Sequence, residues 1–154
     1  MPLLAVALLL GVVAPTASAG PPTLIRLVSI TTSDKTVDVK PPKASPGDHE
    51  DFTSRLRNAQ AQFGKPKGAV VGSDKGQLVL TDQMIGIMTT VAKLPGGTIT
   101  TSGRITALPK GAFSIPVIRG TGIFAGARGT LTILAPTDPK TAVNIYKLSY
   151  GPIA

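Results

Sequence analysis

The sequence predicts an all-β fold, arranged as an antiparallel sandwich or barrel. From residue 69 onward, short runs rich in β-branched and aliphatic residues recur, and Gly, Pro, Asp or Ser residues separate them. Strands at such regular spacing, with a turn signal at each join, are typical of antiparallel sandwiches and barrels. No window between residues 69 and 154 has the periodicity of an amphipathic helix.

The first part of the chain is less regular. Leu24 to Ile30 (LIRLVSI) predicts a first strand, because β-branched and aliphatic residues dominate it. Residues 31–47 contain several prolines and predict a connection, with a short extended piece at 36–39. Residues 52–57 alternate and predict a second strand, and the segment 55–63 has room for one short helical turn.

The remainder of the chain predicts further strands, at 69–72, 76–82, 84–93, 97–107, 113–119, 129–135 and 142–150. Turn signals separate them at Ser73-Asp74, 95–97, 109–111, 120–126 and 136–139. Asp74 is expected to cap the first of these turns through its own backbone, as Asp does in tight turns.

The stretch RGTGIFAGARG, residues 119–129, is the densest run of glycine. It contains the G-x-G-x-x-A variant of a dinucleotide fingerprint, which requires a helix that aims its N-terminal amides at a pyrophosphate. The following residues, GTLTIL, alternate as a strand does, and Pro136 leaves no room for a helix. We therefore expect residues 120–126 to connect two strands, with at least one glycine at positive φ and Phe124 turned inward to close one end.

The N-terminus predicts a secretory signal peptide over residues 1–19. An apolar run over residues 3–14 precedes the small-residue triplet Ala17-Ser18-Ala19, an A-x-A cleavage site. The run is shorter than the roughly 20 residues that span a bilayer, although an uncleaved membrane anchor is an alternative. We expect cleavage before Gly20, a single domain over residues 20–154, and secretion to the medium or cell envelope.

The composition excludes several classes of site. The chain has no cysteine, so it has no disulfide, thiolate metal site or Cys nucleophile. His49 is the only histidine, which excludes HExxH zinc sites and multi-histidine centres. We expect neither a metal nor a cofactor.

The formal net charge of +8 favours anionic partners. Acidic envelope polymers, nucleic acid and phospholipid headgroups are all attracted to a positive surface. A generally basic extracellular protein without a specific anionic partner is the alternative, and the composition alone favours it. Specific nucleic-acid binding is not expected, because only 4% of the residues are the aromatics on which bases stack.

Four segments resemble the allene oxide cyclase and dirigent superfamily. PVIRGTGIFAGARGTLTI is similar to its V-x-GGTGxFxxARG-x stretch, and VVGSDKGQLVL to its V-G-x-D-x-G segment. LPGGTITTSGRI and SPGDHEDFTSRL resemble its LPGGxIxxxG and G-D-x-x-x-F-T/S segments. All four occur in order across residues 22–150, and they are most similar to small secreted bacterial members. The resemblance implies a single eight-stranded antiparallel β-barrel with an apolar or mixed cavity.

The resemblance also implies function by shape and positioning. Allene oxide cyclases guide the cyclisation of a fatty-acid epoxide, dirigent proteins set the stereochemistry of phenoxy-radical coupling, and bacterial relatives close rings. The first hypothesis is therefore a barrel that binds an apolar small molecule, as an isomerase, cyclase or dirigent-like protein without a metal or covalent nucleophile. The second is a non-catalytic envelope module with a solid core, and either is compatible with a homo-oligomer. A cavity of about 300 Å³ or more separates the two.

The candidate site residues follow partly from the resemblance. Asp48 lies at the family's G-D segment and is the candidate general acid or base, with a solvated strand start as the alternative. Arg128, in the A-R-G element, is the candidate group for a carboxylate or developing negative charge, or it pairs with Asp48 or Asp82. Arg104, Phe124 and Tyr146 are the candidate pocket residues.

The sequence departs from the family at three places. Ile123 replaces the acidic residue that plant dirigents often carry, and Arg119 replaces the first glycine of GGTG. The positions of a Cys pair in bacterial relatives, 77–78 and 85–88, hold none here.

Overall fold

The chain folds into a closed antiparallel β-barrel, as a computed structural model of residues 20–106, 111–134 and 138–151 shows. The strands are β1 Leu24–Val37, β2 His49–Asn58, β3 Val70–Leu80, β4 Ile85–Leu94, β5 Gly97–Thr106, β6 Ala112–Gly120, β7 Ala127–Leu134 and β8 Thr141–Tyr150. Each strand pairs with its neighbour in sequence, and β8 pairs with β1 to close the ring. The predicted all-β, eight-stranded barrel is confirmed.

Some sequence predictions concern residues outside those described. The signal peptide, residues 1–19, lies wholly outside them, and the turns at 109–111 and 136–139 lie partly outside. Among the described residues, no helix is long and apolar enough to cross a membrane.

The predicted turn at Ser73-Asp74 is wrong, because β3 runs without interruption from Val70 to Leu80. Its glycines are sites of close packing instead. A Cβ at Gly76 would overlap the ring of Phe52, and one at Gly72 would meet the carbonyl oxygen of Lys93. Asp74 consequently points into the barrel from the middle of a strand.

The first two strands are longer than predicted. β1 continues to Val37 because its polar second half pairs with β2, where Val37 lies opposite His49. The short helical turn expected within 55–63 is absent, since residues 55–58 belong to β2 and an isolated bridge joins Gln62 to Lys65.

The connection between β6 and β7 agrees with the sequence prediction. A three-residue 3₁₀ turn, Gly122–Phe124, joins the strands, with Gly122 at φ 62° and Gly126 at φ 77°. Phe124 is fully buried, as expected. The Ile123 amide donates to the Gly96 carbonyl at 2.9 Å, so this connection packs on the β4–β5 turn.

The interior of the barrel is apolar at that end. We call it the closed end, where β1, β3, β5 and β7 begin and where Phe124 lies among buried aliphatic side chains. These side chains are Ile25, Leu27, Leu56, Val71, Leu94, Ile99, Val117 and Leu148. The opposite end, where β2, β4, β6 and β8 begin, is the open end.

Candidate functional site

A cavity of about 320 Å³ enters the barrel from the open end. Its walls are mainly apolar, formed by Phe52, Met88, Leu131, Ile133 and Ala142. Four strands, β2, β4, β7 and β8, contribute these side chains, so the barrel fixes the shape of the cavity. Rigid, mostly apolar walls are typical of sites for small molecules.

The floor of the cavity is polar and centres on Asp74. This side chain is only 4% exposed and lies on β3 directly opposite Ser54 of β2. Burial raises the pKa of the Asp74 carboxyl group, and the nearby hydroxyls of Ser54 and Ser29 oppose that rise. Its Oδ1 atom has no hydrogen-bond partner. A carboxyl group with a raised pKa exchanges protons closer to neutral pH than an ordinary Asp.

Two further polar groups near the floor lack partners. The Oδ1 atom of Asn144 and the hydroxyl of Tyr146 are buried without a hydrogen bond. Thr90 lies close to the Tyr146 hydroxyl, but its own hydroxyl is engaged with Thr101 at 2.7 Å. Burial first, and the charge of Asp74 second, raise the pKa of Tyr146, so it stays a neutral phenol. Because buried polar atoms are nearly always paired, these groups are suited to bind a ligand or water.

The rim of the cavity carries charge of both signs. Asp34 of β1, Glu50 of β2 and Lys140, which follows Pro139, line it. The carboxylates outnumber the amine, so the entrance is more acidic than the basic chain as a whole.

The predicted pocket residues occupy three different places. Tyr146 is fully buried beneath the polar floor, and Phe124 belongs to the apolar closed end rather than to the cavity lining. Arg104 is exposed on the outer surface of β5, opposite Ile87 of β4, so it does not line the cavity. The structure therefore brings only Tyr146 close to the cavity floor.

Arg128 is exposed on the outer surface of β7. Its guanidinium donates to the carbonyl oxygen of its own neighbour Ala127 at 2.9 Å. Within the described ranges it makes no ion pair with Asp48 or Asp82. The structure gives Arg128 no contact with the cavity.

Asp48 is buried just before β2, where it holds the β1–β2 connection. Its carboxylate accepts the amides of Val39 and Ser45, both at 2.8 Å, and the Ser45 hydroxyl at 3.0 Å. The Val39 and Ser45 amides lower the pKa of Asp48, so it stays ionised. All these bonds join Asp48 to its own loop, and it lines a separate groove of about 270 Å³ beside Leu78 and Leu80.

We expect Asp48→Asn to lower the melting temperature at pH 7, because the amide offers a donor where the Ser45 amide needs an acceptor. A carboxylate whose pKa is lowered by folding stabilises the protein above its unfolded pKa of about 3.9, and that stabilisation is lost as the pH falls through the folded pKa. The difference between variant and parent should therefore shrink below about pH 4. Thermal unfolding across that range measures it.

Asp38→Asn is the control, since Asp38 is exposed and accepts one bond, from the Lys40 amide. It should leave the melting temperature nearly unchanged. An Asp48→Asn protein that melts with the parent at pH 7 would contradict the role assigned to this carboxylate.

Comparisons with known proteins show the fold. No family model matches the sequence, and no curated protein matches it. Among solved structures, a pyocyanin demethylase superposes with a TM-score of 0.67 and 22% identity, over 82% of this chain and 99% of that chain. A Diels–Alderase from Streptomyces koyangensis gives a TM-score of 0.65 and 20% identity, over 84% of this chain and 65% of that chain.

A pterocarpan synthase dirigent protein is also similar, with a TM-score of 0.61 and 18% identity over 84% of this chain and 96% of that chain. The protein thus shares the barrel of Diels–Alderase cyclases and dirigent proteins, as the sequence resemblance implied.

Proposed function

We propose that the protein binds a small, largely apolar molecule in its barrel and steers the cyclisation or stereoselective coupling of that molecule. One observation carries the proposal: the buried carboxyl group of Asp74, with an unpaired oxygen, lies at the floor of a cavity with apolar walls. The Diels–Alderase and dirigent folds of the structural neighbours support it.

The size of the cavity favours this function over a solid-core module. Ligand sites begin at about 300 Å³, and the cavity holds about 320 Å³. A molecule of two or three fused rings fits that space. The apolar walls would hold it in one folded conformation, which is how proximity lowers the barrier to ring closure.

Asp74 supplies the proton chemistry in this proposal. In its neutral form it donates a proton to an oxygen of the ligand as negative charge develops there, and its carboxylate then takes a proton back from the product. The sequence of steps is redox-neutral and leaves the enzyme unchanged, as an isomerase or cyclase requires. In a coupling reaction the radicals would come from a separate oxidant, and this barrel would only orient them.

The predicted signal peptide supports a location outside the cytosol for this binding step. The apolar run over residues 3–14 and the triplet at 17–19 are its basis.

A neutral naphthalene dye, prodan, tests the cavity. Its fluorescence should rise and shift to the blue when it binds the parent protein. Ala142→Trp places an indole among the lining residues and should weaken binding by more than about tenfold, because the ring occupies the space of the dye. Ala112→Trp adds the same side chain at an exposed position of β6, outside the cavity, and should bind as the parent does. Equal binding by both variants would contradict a cavity site.

A further inference from the structure

The charges of the protein are separated along the axis of the barrel. Seven acidic residues lie toward the open end, and the eighth, Asp74, is inside. The seven are Asp34, Asp38, Asp48, Glu50, Asp51, Asp82 and Asp138. The closed end has basic residues only, which we call the basic collar: Arg26, Arg57, Lys65, Lys67, Lys93, Arg119, Arg128 and Lys147.

The basic collar surrounds the closed end, and the described residues supply no acidic partner to it. Its members lie on β1, β2, β4, β6, β7 and β8 and on the β2–β3 connection. The one ion pair within the described residues is at the open end, between His49 and Asp51 at 3.9 Å. Arg57 and Arg128 contact backbone carbonyl oxygens, and the others are exposed. Unpaired charge of one sign repels itself and does not help the barrel to fold, so it points to an anionic partner.

Exposed aliphatic side chains accompany the collar and narrow the choice of partner. Leu24, Val70, Ile118 and Ile123 are each between 41% and 49% exposed near the closed end, where they lie beside basic residues only. The open end also exposes apolar side chains, such as Val39 and Met84, but there they lie among carboxylates. Aliphatic side chains that enter the headgroup region beside Lys and Arg that contact phosphates are typical of a protein surface that binds an anionic bilayer. A polysaccharide or nucleic acid offers no apolar layer that could bury the exposed aliphatic groups.

The direction of the first strand is consistent with a bilayer at the closed end. β1 begins at Leu24 at the closed end, so the chain enters the barrel on the side of the basic collar.

We propose that the closed end docks on an anionic lipid surface through the basic collar. In this orientation the open end, with the cavity entrance and most carboxylates, faces away from the bilayer. Within the described residues the open end also carries Lys35, Lys40, Lys43, Arg104 and Lys140 beside its seven acidic residues, so it lacks the net positive charge of the basic collar. An anionic bilayer therefore attracts the closed end, and the charge separation sets one orientation rather than several.

Vesicle co-sedimentation of the full chain tests the proposal, with phosphatidylcholine vesicles that contain roughly a third phosphatidylglycerol. The collar variant is Lys65→Gln/Lys67→Gln/Lys147→Gln, and the matched variant is Lys35→Gln/Lys40→Gln/Lys43→Gln in β1 and the β1–β2 connection. Both variants lose three charges and keep the same N-terminus, so net charge and the apolar run contribute equally. Neither set includes a residue of the cavity lining.

We expect the collar variant to bind about a hundredfold more weakly, because each Lys near an anionic bilayer contributes about a factor of five. The matched variant should stay within about threefold of the parent, and salt should weaken the binding of the parent. Equal loss in both variants, or parent binding that does not depend on phosphatidylglycerol, would overturn the proposal. Heparin binding that is tighter than vesicle binding at the same salt concentration would assign the collar to a polyanion instead, and would also overturn it.

Discussion

Gly122→Val is expected to destabilise the protein by about 3 kcal/mol or more. Gly122 has a φ of 62°, a conformation that costs a β-branched residue about 1–3 kcal/mol. A Cβ at this position would also meet the Gly96 carbonyl oxygen and the Gly97 Cα, both of which are backbone atoms. Overpacking adds about 1–3 kcal/mol, since the two turns that close the barrel would have to separate. Chemical denaturation measures the change.

Gly126→Val is the matched control for this prediction. Gly126 has a similar φ of 77°, but a Cβ there would have no atom within 4 Å. The variant should lose only the conformational part, about 1–3 kcal/mol. A Gly122→Val protein as stable as Gly126→Val would show that the two turns do not pack closely, and one as stable as the parent would contradict the turn itself.

Asp74→Asn is expected to stabilise the protein at neutral pH while it removes the proposed proton chemistry. Burial raises the pKa of this carboxyl group in the folded state. The folded state therefore binds more protons than the unfolded chain, so the stability of the parent falls as the pH rises through the folded pKa. The loss is about 1.4 kcal/mol for each unit by which the two pKa values differ. Asn carries no charge at any pH and avoids this loss.

Thermal unfolding between about pH 4 and pH 9 checks the prediction. The parent should lose stability relative to Asp74→Asn as the pH rises, and Asp34→Asn, at the exposed rim, should follow the parent. Parallel curves for the parent and Asp74→Asn would show that the carboxylate is not destabilised by its surroundings. A functional residue that weakens the fold is common in sites that need a strained or desolvated group.

The strands and the turns at 95–97 and 120–126 could be predicted because their signals are local. The turn at Pro95-Gly96 between β4 and β5 and the burial of Phe124 were both predictable. Glycine spacing and alternation involve only residues that are close in sequence. The extension of β1 to Val37 could not be predicted in the same way. Its polar residues take the extended conformation through pairing with β2, for example Ser33 with Thr53, and such pairing joins residues far apart in sequence.

Asp74 could not be recognised as a cavity residue from local preferences. Asp after Ser between two glycines favours a turn, yet Gly72 and Gly76 are there because Lys93 and Phe52 leave no room for a Cβ. The alternation of Asp74, Gly76 and Leu78 with exposed polar residues was a signal for a single strand. The burial that raises the pKa of Asp74 comes from side chains of other strands, which the sequence does not place.

Two arginines were predicted as site residues but lie outside the cavity. Arg104 lies near the end of β5 and was selected on alternation, which gives two faces without saying which one is inside. Arg128 is the second residue of β7 and was selected on the resemblance of the A-R-G element. The barrel closes with Ile105 and Ala127 inward, so both arginines point outward. Arg128 then belongs to the basic collar at the closed end rather than to the cavity.

Methyl NMR of the protein labelled at methionine tests the central claim, that the cavity above Asp74 binds an apolar molecule. Met88 lines the cavity, whereas Met84 is 61% exposed outside it and serves as an internal reference. On titration with prodan, we predict that the Met88 methyl signal shifts with the same midpoint as the fluorescence change, while the Met84 signal stays in place. A fluorescence change without a shift at Met88, or an equal shift at Met84, would contradict the claim.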